Sequence, residues 1–186
     1  YTLSSNFYTE ASKVYHQSAL YGTAAMIIEE DEETEFRCET LPIGSYWLGI
    51  DAKRRVNQFA REIKMTVMQA ADMFGEDALS EAHRRILETK QGMSEQITVL
   101  HWIGPNPDYN RDPLSRRFRS IYIDPSDSTN PDRALRIGAY DEFPVIAPRW
   151  KTYGDDVWGL DCPGMMALGH LQEIQKWRRT AALAAE

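Results

Sequence analysis

The stretch Asp141-Glu142-Phe143-Pro144-Val145-Ile146-Ala147-Pro148-Arg149-Trp150, continued by Tyr153-Gly154 and then Trp158-Gly159-Leu160-Asp161-Cys162-Pro163-Gly164, decides how this chain is built. It reads as a strand over Val145–Trp150 pinned between two prolines. A Gly/Pro-rich turn follows and launches a long C-terminal helix. Proline fixes φ and removes a backbone donor, so Pro144 and Pro148 suit a sheet edge. Gly154, Gly159 and Gly164 are expected to supply backbone conformations closed to other residues. The helix is expected from about Met165. Its apolar positions Leu168, Leu171, Ile174, Trp177 and Ala181 recur at helical spacing, with Arg178 and Arg179 mostly off that stripe.

Upstream, a helix is expected over residues 7–20, with Thr9 as N-cap, Phe7, Ala11, Val14 and Ser18 on one face, and Gly22 as the stop. Four short strands follow: 23–28, 34–40, 45–50 and 56–63. The acidic run Glu29-Glu30-Asp31-Glu32-Glu33 forms the first turn, and the whole reads as an antiparallel meander. Two helices interrupt the sheet. Thr66 and Gln69 match a capping box, and Ser80 is placed to cap the second helix, with Gly92 ending that region. Strands resume at 96–103, where both faces look covered, and at 116–123 and 134–140. The fold class is α+β: a β-rich small barrel or meander with inserted helices and a long C-terminal helix. The expected organisation is an N-terminal helix at 1–22, a β-rich domain at 23–150 with a helical insertion at about 65–90, and a turn and helix at 151–186.

Composition fits a soluble globular protein, with 42% hydrophobic and 26% charged residues among 186. The net charge of −7 argues against a stand-alone nucleic-acid binder, yet an acidic wall lets a polyanion slide past. Cys38 and Cys162 are too few for a disulfide framework. No run reaches the ~18 apolar residues of a membrane span. The chain starts at Tyr1, and Ala181–Glu186 continues a helical pattern with no Gly or Pro stop, so a piece of a longer protein is expected.

Catalytic motifs are sparse. The four histidines, His16, His83, His101 and His170, fall in different elements. His170 and Glu173 share a helical turn but fall short of a metal ligand set. Asp124–Asp132 resembles a calcium loop but lacks its central Gly and terminal Glu, so it reads as a solvated hairpin loop. Asp155, Asp156 and His170 are the residues on which a rival reading, a small metal-dependent hydrolase or nuclease, depends.

The order of motifs carries more. Leu20-Tyr21-Gly22-Thr23-Ala24 is followed by Leu41-Pro42-Ile43-Gly44-Ser45-Tyr46-Trp47-Leu48, then Asp51 and Val56–Arg61-Glu62. Met65-Thr66-Val67-Met68-Gln69 leads to Phe74-Gly75. Glu142-Phe143-Pro144-Val145-Ile146 with Arg149-Trp150, Trp158-Gly159, Pro163-Gly164 and Ala167-Leu168 close the series. This succession resembles the head-to-tail connecting, or portal, proteins of short-tailed double-stranded DNA bacteriophages, from about residue 7 to 186. In the family's usual pattern Tyr-Gly follows the Arg-Trp segment; here Trp158-Gly159 stands in that place.

The resemblance implies a structural subunit with no catalytic residues, cofactor or metal. It implies a ring, generally of twelve copies, at one capsid vertex, with the chain forming the wing region and its last helix running toward the stem. Implied partners are other portal subunits, capsid and scaffolding proteins, terminase, tail and adaptor proteins, and double-stranded DNA passing through without sequence-specific binding. The implied location is the portal vertex of the virion, and the host cytoplasm during assembly. Leu168, Leu171, Ile174 and Trp177 are the candidate packing or oligomer residues, set against the chain's own wing or a neighbouring subunit.

Overall fold

In a computed structural model, which describes residues 5–31, 34–89, 94–109, 116–127 and 133–184, the strands form two open antiparallel sheets. The α+β class and the meander hold, but the barrel does not close: the strands Tyr46–Ile50 and Ala134–Tyr140 remain the edges of a five-stranded sheet. The chain divides into two compact units. One comprises Tyr1–Ile43 with Pro144–Glu186, the other Gly44–Phe143.

The first unit holds α1 (Phe7–Tyr21), β1 (Ala25–Asp31), β2 (Glu35–Leu41), β8 (Val145–Ile146) and α4 (Pro163–Ala184), with strand order β2-β1-β8. The expected strand over Val145–Trp150 is cut to two residues plus an isolated bridge between Thr23 and Arg149. The flanking prolines still serve the sheet as acceptors: Pro144 O takes the Ile28 N–H at 2.9 Å and Pro148 O the Ala24 N–H at 3.3 Å. Only the donor is lost at proline, so the ladder survives on carbonyls.

Helix α1 begins one turn earlier than Thr9 suggests. Asn6 is its N-cap, and Asn6 makes no side-chain capping bond. Its amide is used elsewhere, donating to Cys38 O at 2.7 Å and accepting from Cys38 N–H at 2.9 Å. One turn on, the buried Glu10 accepts from Thr40 N–H at 2.9 Å, and its own carbonyl accepts from the Thr40 hydroxyl. Two helix side chains thus stand where a further strand would pair with β2, which blunts that edge. Burial pushes the Glu10 carboxyl up, but the Lys13 ammonium and the Thr40 donors outweigh it and hold it below the usual carboxylate range. Stability contributed by Glu10 is therefore present above the ordinary glutamate value and lost as pH falls through the lowered one. Glu10→Ala leaves the Thr40 N–H without its acceptor and is expected to cost about 2 kcal/mol in urea unfolding at pH 7. An unchanged midpoint would show that the edge is not held this way.

The second unit is a meander of β3 (Tyr46–Ile50), β4 (Val56–Thr66), β5 (Gln96–Pro105), β6 (Phe118–Ile123) and β7 (Ala134–Tyr140), each antiparallel to the next. Between β4 and β5 lie α2 (Val67–Phe74), a 3-10 turn at Glu76–Ala78, and α3 (Glu81–Glu88). The capping box forms as expected: Gln69 N–H donates to Thr66 Oγ1 and Thr66 N–H to Gln69 Oε1. Ser80 caps α3 through His83 N–H. These helices cover one end of the sheet's inner face, where Val67, Ala70, Leu79, Val99 and Tyr122 form the core. The described residues leave the outer face open. Ile97, Val99, His101 and Ile103 of β5 are buried, whereas Leu100 is exposed and Trp102 half-buried, so β5 is not covered on both sides. Gly92 lies outside the described residues.

Candidate interaction surfaces

The turn that launches α4 works through close approach more than through unusual dihedrals. Gly22 and Gly154 have φ of 78° and 56°, in the left-handed region, but Gly159 and Gly164 do not. Those two are glycine because backbone passes where a Cβ would sit. A side chain on Gly159 would collide with the Gly22 carbonyl and lie 2.7 Å from Trp150 N; one on Gly164 would collide with the backbone of Leu20. Hydrogen bonds hold the junction. Gly159 N–H donates to Thr23 Oγ1 at 2.7 Å, Trp150 N–H to Gly22 O at 2.8 Å, and Leu160 N–H to Lys151 O at 2.8 Å. Cys162 is buried, with its Sγ 3.4 Å from Leu20 O, a packed thiol directly before Pro163 at the first position of α4.

From Met165 to Leu183, α4 is exposed on all sides. Leu168, Leu171, Ile174 and Trp177 are each more than half exposed, Trp177 at 71%. Among the described residues, nothing covers them. Their spacing is strictly every third residue, and three residues turn a helix through about 300°. The apolar positions therefore step back about 60° each time and wind half-way round, leaving Leu168 and Trp177 on opposite sides. The sequence pattern looks like one stripe, yet no flat partner can cover all four.

In the second unit, the polar feature that sequence reading passed over is His101. It is fully buried at the middle of the sheet's inner face. Arg61 Nε donates to its Nδ1 at 3.3 Å, which fixes the tautomer with the proton on Nε2, and Nε2–H donates to Ser120 Oγ at 2.9 Å. The ring stacks on Tyr122 with centroids 3.9 Å apart and planes 9° from parallel, and meets Phe59 edge-on. Burial, reinforced by the Arg61 charge, pushes its pKa down to about 3. A neutral, doubly bonded imidazole of this kind braces strands β4, β5 and β6. Alternation marks position 101 as inward-facing, but the partners lie 40 and 19 residues away and no local signal names them.

The remaining candidates are dispersed. Asp155 and His170 are exposed, and the Asp156 carboxylate accepts the Tyr153 N–H at 3.2 Å. Among the described residues, no group of three or more His, Cys, Asp or Glu is placed to hold a metal ion. Asp124, expected in a solvated loop, is buried instead. Its Oδ1 accepts from Ser126 N–H and Oγ–H, and its Oδ2 lies 3.0 Å from His83 Nδ1 without hydrogen-bond geometry. Residues 128–132 of that loop lie outside the described set.

The antiparallel α+β scaffold uses Gly22, Gly159 and Gly164 to anchor an exposed helix and the buried His101 to brace three strands. The sequence matches the bacteriophage head to tail connecting protein family over residues 3–186, and the chain belongs to that family. It is 34% identical over 180 residues to the portal protein of Salmonella phage epsilon15, and 31% identical over 175 residues to the probable portal protein of Bordetella phage BPP-1. Each alignment covers 92% of this chain and 31% of the relative, so the chain spans about a third of the length of the curated relatives it matches. The resemblance read from motif order is borne out.

Proposed function

We propose that this chain is the wing-region part of a portal subunit, a structural component of a ring at one vertex of the phage head through which DNA is packaged and ejected. Family membership and the two portal relatives support the reading. The observation that carries it beyond family is the winding of exposed apolar residues around α4. In a closed ring every copy has a neighbour on each side. A helix with Leu168 on one side and Trp177 on the other suits a position between two copies. The β-rich part at 23–150 then forms the wing, and α4 leads toward the stem. Twelve copies, contacts with capsid and scaffolding proteins, terminase and tail adaptors, and host cytoplasm as the assembly site belong to the same reading. The charge of −7 fits a DNA path that does not grip its cargo.

The test is assembly of the intact viral protein carrying Trp177→Ala. The residue is exposed, so the fold, followed by circular dichroism, is expected to persist. Ring assembly, followed by electron microscopy and sizing, is expected to weaken about tenfold or more, as for a buried interface tryptophan. Unaltered rings would remove α4 from the interface.

A further inference from the structure

We propose that α4 of one copy lies across the open outer face of the five-stranded sheet of the neighbouring copy. The proposal rests on the ring reading and specifies which surfaces meet. Strand register places Trp47, Ala60, Trp102, Ile121 and Ile137 directly opposite one another in succession, one from each strand. These five apolar residues form a ladder across the whole outer face. Its ends are open, with Trp47 50% and Ile137 60% exposed, and Leu100 and Ile123 widen it on one side. Trp102 lies along its own strand against Gly104, where no Cβ fits, so its ring is laid flat on the sheet. An apolar surface running from edge to edge of a sheet marks an interaction site.

Three features select α4 of a second copy as the occupant. The first is length. Five strands at about 4.8 Å spacing give a ladder of about 19 Å, and Ala167 to Ala181 spans about 21 Å of helix. The second is face. Ala167, Leu171, Ile174, Trp177 and Ala181 fall within about 120° of the α4 surface, an arc that also takes in His170 and Arg178 and has a width that one sheet can cover. The third is charge. Along the strands, Glu62 lies one pleat to one side of the ladder and Arg119 one pleat to the other. On α4, Arg178 lies on the Leu171 side of that face and Glu173 beyond its Trp177 side, so one orientation sets Arg178 near Glu62 and Glu173 near Arg119. Each copy offers one such helix and one such face. A helix meeting the next copy's sheet gives a heterologous contact that repeats by rotation.

The experiment uses two single variants of the intact viral protein, Ile137→Cys at the β7 end of the ladder and Ala167→Cys at the end of α4 that the assigned orientation sets over it. Within this chain the native Cys38 and Cys162 are buried, and accessible cysteines elsewhere in the intact protein are first replaced so that the new thiols form the reactive pair. The variants are mixed before assembly, treated with a short bismaleimide and run on a denaturing gel. A covalent dimer that forms in the mixture and in neither variant alone is the expected result. Rings without that dimer, or an equal dimer from Ile137→Cys alone, overturn the helix-on-sheet contact and leave the ring reading standing. Failure of the unmodified protein to form rings overturns the ring reading itself. A charge exchange tests the orientation. Glu62→Arg is expected to weaken assembly about tenfold, and adding Arg178→Glu to restore it. No restoration overturns the assigned direction of the helix.

Discussion

Gly159→Val is expected to unfold the anchor of α4 and to cost more than about 4 kcal/mol, the range reserved for backbone collisions and broken buried networks. The new Cβ would meet the Gly22 carbonyl oxygen and lie 2.7 Å from Trp150 N, both backbone atoms that cannot swing aside. Relief requires separating the 158–160 segment from the end of α1. That separation breaks the Gly159–Thr23 bond and strains the Trp150–Gly22 and Leu160–Lys151 bonds. Gly22 cannot absorb the strain by refitting, because its φ of 78° already serves as the left-handed cap of α1. Gly169→Ala is the contrasting change in the same element. No heavy atom lies within 4 Å of its added Cβ, and the position is in the exposed middle of α4. Alanine there is expected to stabilise the helix by about 0.5–1 kcal/mol. Thermal melts and limited proteolysis of α4 separate the two outcomes. Wild-type stability for Gly159→Val would mean that the two backbone segments do not touch.

Features that depend on a few consecutive residues were legible in the sequence. The Thr66/Gln69 capping box, the Ser80 cap, the Gly22 stop and the strands β4 to β7 each rest on local signals, and each formed. Features that depend on a distant partner were not. Asn6 gives up capping because Cys38, 32 residues away, presents an unpaired edge. Thr9, the better local candidate, therefore falls inside the helix. Barrel closure failed for a similar reason: it needs β3 to meet β7, and nothing in either strand's own sequence states whether it does. For β5, apolar residues on both sides suggested two covers, yet the outer set is left open. Periodicity reports which residues could be buried by something, and the partner need not belong to the same chain. The same distinction governs α4, whose three-residue spacing identified a helix and concealed the winding of its apolar positions.

His101 sets the second large expectation, a loss of stability on mild acidification. In the folded chain its pKa lies near 3, against 6.5 for an ordinary histidine. The unfolded chain therefore binds a proton between those values that the folded chain refuses. With more protons on the unfolded side, stability falls as pH falls, beginning near 6.5 and levelling only near 3. Each pH unit in that window costs about 1.4 kcal/mol, so moving from pH 6.5 to 4.5 is expected to cost about 2–3 kcal/mol. The cause is geometric. Protonation of Nδ1 would remove the acceptor of the Arg61 N–H and set two cations together in a closed site, with Tyr122 stacked on the ring and Ser120 at Nε2. Glu10 loses its contribution only as pH falls from the ordinary glutamate value toward its lowered one, so its loss lies outside the interval from 6.5 to 4.5. His101→Gln retains one donor and one acceptor but neither titrates nor stacks. It is expected to lower stability at pH 7 by about 2 kcal/mol and to flatten the slope between pH 6.5 and 4.5. Denaturant melts at four or five pH values are sufficient. If the variant keeps the parent slope, the acid sensitivity arises from another group and the Arg61–His101–Ser120 brace does not hold the sheet in the way the geometry implies.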